Sequence, residues 1–149
     1  MRPIFIPPGG NEKTSVVILI MAADPCQRDV TLRILYQLST EEKYRGQIAS
    51  SGCLPLLMRS ILGSAEDAPN VECLGLLINL ACDRRAAQSV GEPRGIRMLF
   101  RRAFATHDPL LMKLLRNLSH FEELRVHFGV GRRSIVGWGS RKKAFCAMH

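Results

Sequence analysis

No apolar run in the 149-residue chain reaches the roughly 18 to 20 residues needed to cross a bilayer. The longest is Val16 to Ala23, and what precedes it, Pro7-Pro8-Gly9-Gly10-Asn11-Glu12, is not the basic leader of a secretory signal. Neither a membrane span nor a secreted product is expected. The five cysteines, Cys26, Cys53, Cys73, Cys82 and Cys146, include no C-x-x-C pair, and no histidine stands at zinc-finger distance from such a pair. An odd count without a framework suits a reducing compartment, with the thiols serving as small buried side chains in helices. There is no glycine-rich phosphate loop of the P-loop type, and none of the four histidines pairs with a nucleophile motif. No catalytic residue, metal set or cofactor is therefore expected, and the chain does not read as an enzyme. Nor does any segment alternate with period two for long enough to suggest a sheet. Acidic residues are absent from 129–149, where Arg132, Arg133, Arg141, Lys142 and Lys143 supply +5 of the +8 net charge. The remaining body, with 16 basic and 13 acidic side chains, is only mildly basic. A nucleic-acid reading would rest mostly on that tail, so nucleic acid is not an expected partner.

What the chain does have is apolar content of 46 % and charged content of 23 %, which favours a packed core over disorder. It also has an internal repeat. Thr31-Leu-Arg-Ile-Leu-Tyr-Gln-Leu-Ser39, Cys73-Leu-Gly-Leu-Leu-Ile-Asn-Leu-Ala81 and Leu111-Met-Lys-Leu-Leu-Arg-Asn-Leu-Ser119 follow one another at offsets of 42 and 38 residues. Each places apolar or small residues at i, i+3, i+4 and i+7, one face of a helix: Thr31, Ile34, Leu35, Leu38; Cys73, Leu76, Leu77, Leu80; Leu111, Leu114, Leu115, Leu118. A second helix recurs between them, with Leu54, Leu57, Met58, Ile61 and Leu62 matching Ile96, Leu99, Phe100, Ala103 and Phe104. A short helix precedes it, ending at Ile48, Val90 and, in the third unit, Phe128. Asp29, Asn70 and Asp108 read as N-caps of the long helices, Pro109 as a first helical residue, and Gly52 as a break. Pro93 reads as a disturbance between short and middle helices.

Three helices over a period near 40 residues describe an all-α fold, an α-solenoid of armadillo or HEAT type. The pattern predicts an armadillo-repeat domain over 12–128, with about two and a half to three repeats at 29–64, 70–104 and 108–128. Residues 14–22 fall where the middle helix of a preceding repeat belongs, and 1–11 fit no repeat. After Phe128 the register demands apolar groups where Ser134, Gly137, Arg141 and Lys142 stand, so 129–149 reads as an unrelated basic, Gly-rich tail. Without that middle helix, Leu111, Leu114 and Leu115 are expected to be partly uncovered and the isolated chain only marginally stable.

Four strings narrow the class. Asp108-Pro-Leu-Leu-Met-Lys-Leu-Leu-Arg-Asn-Leu-Ser119, Ile78-Asn-Leu-Ala81, Gly95-Ile-Arg-Met-Leu-Phe-Arg-Arg-Ala103 and Ile34-Leu-Tyr-Gln-Leu-Ser39 resemble, in order and separation, the central armadillo region of kinesin-associated proteins. The resemblance covers roughly 15–128, and its most specific piece is Asp108 to Ser119. It implies a non-catalytic adaptor, the accessory subunit of heterotrimeric kinesin-II, whose partners are motor tails and cargo proteins. It also implies microtubule-based and intraflagellar transport, and a cytoplasmic location associated with cytoskeleton and cilium. A generic armadillo or HEAT interaction scaffold is the alternative, and a basic nucleic-acid-binding helical repeat a more remote one.

Candidate contacts lie on the long helices. In an armadillo repeat the late asparagine of that helix faces the concave groove and can bond a peptide backbone through both donor and acceptor. Asn79 and Asn117 stand there, with Gln37 as the equivalent, although each could equally satisfy a local carbonyl. Where armadillo carriers of nuclear localisation signals have tryptophan, this chain has Arg33, Gly75 and Lys113. Arg33, Lys113 and Arg116 would favour an acidic segment or form a solvated face. Arg97, Arg101 and Arg102 form a second basic cluster on a middle helix.

Overall fold

The computed structural model describes residues 24–63 and 69–129. The segments expected to be an irregular start, a preceding middle helix (14–22) and a basic tail from residue 130 lie outside the described residues. Among those residues all regular structure is helical: α1 Pro25–Ser39, α2 Glu42–Ser50, α3 Leu54–Leu62, α4 Val71–Leu80, α5 Arg84–Val90, α6 Pro93–Thr106, α7 Pro109–Ser119 and α8 Glu122–Gly129. The order short, middle, long occurs twice, as α2–α3–α4 and α5–α6–α7.

The local chemistry explains the boundaries. Asn70 accepts from Cys73 N at 2.8 Å, and Asp108 from Leu110 N at 2.8 Å, each satisfying a donor with no partner inside its helix. Pro109 follows Asp108 at a position where its missing N–H is not needed. Gly52 breaks the chain between α2 and α3 with φ 82, a left-handed conformation open to glycine. Two expectations shift. The first long helix starts at Pro25, so Asp29 is inside it and caps nothing; its carboxylate accepts from Asn70 Nδ2 at 3.3 Å instead. The reason is Pro25 itself, which opens a helix one turn earlier without losing a hydrogen bond. By the same logic Pro93 begins α6 and does not disturb it.

Packing proceeds through neighbouring long helices. α4 lies between α1 and α7, while α3 backs α4 and α6 backs α7. The short helices fill one end, α2 against α1 and α4, α8 against α7 and α6. A single apolar cluster runs from Leu32 to Leu124. α4 is apolar on nearly every side, and Cys73, Leu74, Leu76, Leu77, Ile78 and Leu80 are all buried, as its central place requires. Each fully buried leucine there contributes about 1.5–3 kcal/mol. The arrangement is compatible with an α-solenoid.

The apolar stripes differ in outcome. In α7 the expected face is covered: Leu111, Leu114 and Leu115 are buried, contrary to the expected uncovering, because α4, α6 and α8 close around them. Phe100 of α6 meets Phe128 of α8 edge to face at 5.5 Å, which joins those two covers. In α1 the buried residues are Leu32, Leu35 and Ser39, while Ile34 and Leu38 are exposed. α1 has a long-helix neighbour on one side only among the described residues. The cysteines divide as well: Cys53 and Cys73 are buried, whereas Cys26 and Cys82 are exposed.

Candidate functional site: the face of the long helices

The six candidate residues sit on α1, α4 and α7. Arg33, Gln37, Lys113 and Arg116 are exposed, and Asn79 and Asn117 are half-buried. The two asparagines face neighbouring helices. Asn79 Nδ2 donates to Ser39 Oγ at 2.9 Å, and Asn117 Nδ2 donates to the Ile78 carbonyl at 3.3 Å. Each bond spans about one repeat of sequence and joins adjacent long helices. Ser39 passes the link on by donating to the Tyr36 carbonyl at 2.7 Å. The amide donors are thus used inside the fold, and the charged side chains remain the outward chemistry of this face.

Arg33 is partly balanced by Glu72 of α4, 3.4 Å away. Lys113 and Arg116, on α7, form no ion pair among the described residues. The position between Arg33 and Lys113 is Gly75, where an added Cβ would stand 2.8 Å from Tyr36 Cε2. Gly75 therefore serves the close approach of the Tyr36 ring, and the α1–α4 seam is filled by that ring.

Several structural residues escaped a reading centred on the apolar stripe. Arg45 of α2 donates to the Ser39 carbonyl at 2.9 Å and the Thr40 carbonyl at 3.0 Å, closing the end of α1. Arg125 of α8 does the same for α7 through the Ser119 carbonyl at 3.2 Å. The shared spacing of Ser39 to Arg45 and Ser119 to Arg125 is a signal that could have revealed them. Asp83 caps α5 by accepting from Ala86 N at 3.0 Å. Arg84 pairs with Glu123 across α5 and α8. The Glu123 carboxyl is held below its usual range first by its own backbone N–H and then by Arg84.

The rest of the chemistry is quiet. Burial raises the Cys73 thiol to about 11 and pushes Cys53 up as well, so both stay protonated and unreactive near neutrality. No group of three or more His, Cys, Asp or Glu among the described residues is placed to hold a metal. No helix among them is long and apolar enough to cross a membrane.

A family model described as kinesin-associated protein (KAP) matches residues 13–130. The chain belongs to the kinesin-associated protein family. The match takes in all eight KAP helices described above and the four strings that carried the resemblance. No solved structure matches the chain. Membership in KAP implies an accessory role beside a kinesin.

Proposed function

We infer that this chain is a non-catalytic adaptor segment of armadillo type, which holds a kinesin-II motor tail and links it to cargo for microtubule-based, intraflagellar transport. The observation that carries the reading is the row α1–α4–α7 with Arg33, Gln37, Lys113 and Arg116 exposed along it, in a chain of the kinesin-associated protein family. Asn79 and Asn117 set the spacing of that row by joining its members, and their remaining acceptor oxygens suit a backbone N–H of an extended partner. Lys113 and Arg116 give the row a positive end that favours an acidic tail segment and its rate of capture. In this reading the protein works in the cytoplasm, at the cytoskeleton and cilium.

The test is capture of kinesin-II tail segments by the full chain, beside a variant carrying Arg33→Glu, Lys113→Glu and Arg116→Glu. Selective capture that is lost in the variant, with helical content unchanged by circular dichroism, supports the reading. Capture that survives charge reversal removes the long-helix face as the site. Absence of capture by the folded chain removes the motor-tail assignment.

A further inference from the structure

A second surface lies behind the long helices, where α3 and α6 run side by side. Between them is a groove of about 250 Å³ whose lining includes the apolar Leu54, Met58, Val90 and Met98 and the charged Glu92 and Arg94. On α6, Arg94, Arg97, Met98 and Arg101 are exposed at i, i+3, i+4 and i+7, which puts them on one helix face, and of these Arg94 and Met98 line the groove. α6 carries four arginines and no acid. The fourth, Arg102, is buried. Arg94, Arg97 and Arg101, like Lys113 and Arg116, form no ion pair among the described residues. Like charges three and four residues apart oppose the helix that bears them. The burial of Ile96, Leu99 and Ala103 outweighs that repulsion, and the arginine row is left facing solvent.

We propose that this groove and its arginine rim form a docking site for an acidic amphipathic helix of a partner protein. Its apolar side chains enter between α3 and α6, and its carboxylates meet Arg94, Arg97 and Arg101. Three features select this occupant. Arginine presents a planar fork that matches a carboxylate and keeps its charge at any physiological pH. Methionine at two lining positions, Met58 and Met98, adapts to the shape of an inserted apolar chain. Concavity argues against a membrane, which takes up protruding apolar groups, while here Leu54 and Val90 are buried and Met58 half-buried. Single-stranded nucleic acid would need aromatic platforms for its bases, and the rim has none. The site is separate from the long-helix face and stands or falls independently of it.

The experiment uses the full chain and a labelled synthetic helix with leucine at i, i+3, i+4 and i+7 and glutamate elsewhere, read by fluorescence anisotropy. Binding should weaken by about tenfold or more in the Arg94→Glu/Arg97→Glu/Arg101→Glu variant, since three rim pairs each worth a few-fold are reversed. A probe with glutamine replacing glutamate should weaken comparably, and the Arg28→Glu variant should bind the acidic probe as the parent does. Because a charge variant can perturb folding, methionine-methyl NMR on the unaltered chain gives a second readout. The Met58 and Met98 signals should shift on adding probe while that of Met112 does not. Absence of binding, equal binding by the rim variant, or shifts at Met112 without Met58 and Met98 overturns the proposal. So does preference for phosphatidylserine vesicles or single-stranded RNA over the acidic helix.

Discussion

Asn79 of α4 donates from Nδ2 to Ser39 Oγ of α1 at 2.9 Å, a side-chain bond across 40 residues of sequence. Ser39 is fully buried and Asn79 half-buried, so this is a bond with little access to water. Asn79→Ala should lower unfolding free energy by about 1 kcal/mol. Urea denaturation checks it. A double-mutant cycle with Ser39→Ala should show coupling of about 0.5 kcal/mol or more, since each single variant already removes the same bond. Additive losses would mean the bond contributes nothing.

Ile34 and Leu76 occupy the same position in successive long helices, yet Ile34 is 55 % exposed and Leu76 is 0 % exposed. Leu76→Ala leaves a cavity among packed neighbours and should cost about 2–5 kcal/mol. Ile34→Ala should stay within about 0.5 kcal/mol, as for other exposed sites. Equal losses would show that Ile34 is covered in solution.

Gly91 ends α5 where α8 comes closest. A Cβ there would lie 2.5 Å from Leu124 Cδ1 and 2.7 Å from the Ala87 carbonyl oxygen. The leucine can turn away, but the backbone oxygen cannot, so Gly91→Ala should destabilise by about 1–3 kcal/mol. Because the contact is with α8, hydrogen exchange should rise first in Glu122–Gly129. Unchanged exchange and stability would show that α5 adjusts freely.

The thiols should sort by exposure. Among the described cysteines, Cys26 and Cys82 should react with a thiol reagent in the native state, and Cys53 and Cys73 only after unfolding. Mass spectrometry of the labelled chain reads this directly.

The same burial has a pH consequence. Cys73 is raised from 9.0 to about 11, so the folded state keeps a proton that the unfolded state loses first. Its contribution is fully present below about pH 9 and is lost as pH rises toward 11. The melting temperature should therefore fall over that window, and fall less in Cys73→Ala. An identical slope in the two proteins would remove Cys73 as a cause.

The helical class, the recurrence of short, middle and long helices, and the caps at Asn70 and Asp108 were legible in the chain, because each is set by contacts within a few residues. The core positions of α4 and α7 were legible for a related reason: apolar groups at i, i+3, i+4 and i+7 leave a helix one face to bury. Ile34 has the same pattern and the opposite fate, since burial needs a neighbouring helix as well as a stripe, and only packing decides whether that neighbour is present. α1 starts ahead of Asp29 because Pro25 suits the first helical turn, and Asp24 precedes it without a side-chain cap bond. Asn79 and Asn117 were found by position, but their bonds to Ser39 and the Ile78 carbonyl depend on how closely adjacent helices approach, which no local spacing encodes. Arg45 and Arg125 closing the ends of α1 and α7, and the groove between α3 and α6, belong to that same tertiary level. Local sequence determined which helices form and which residues line each face; the stacking of one helix against the next decided which faces close and which remain open to a partner.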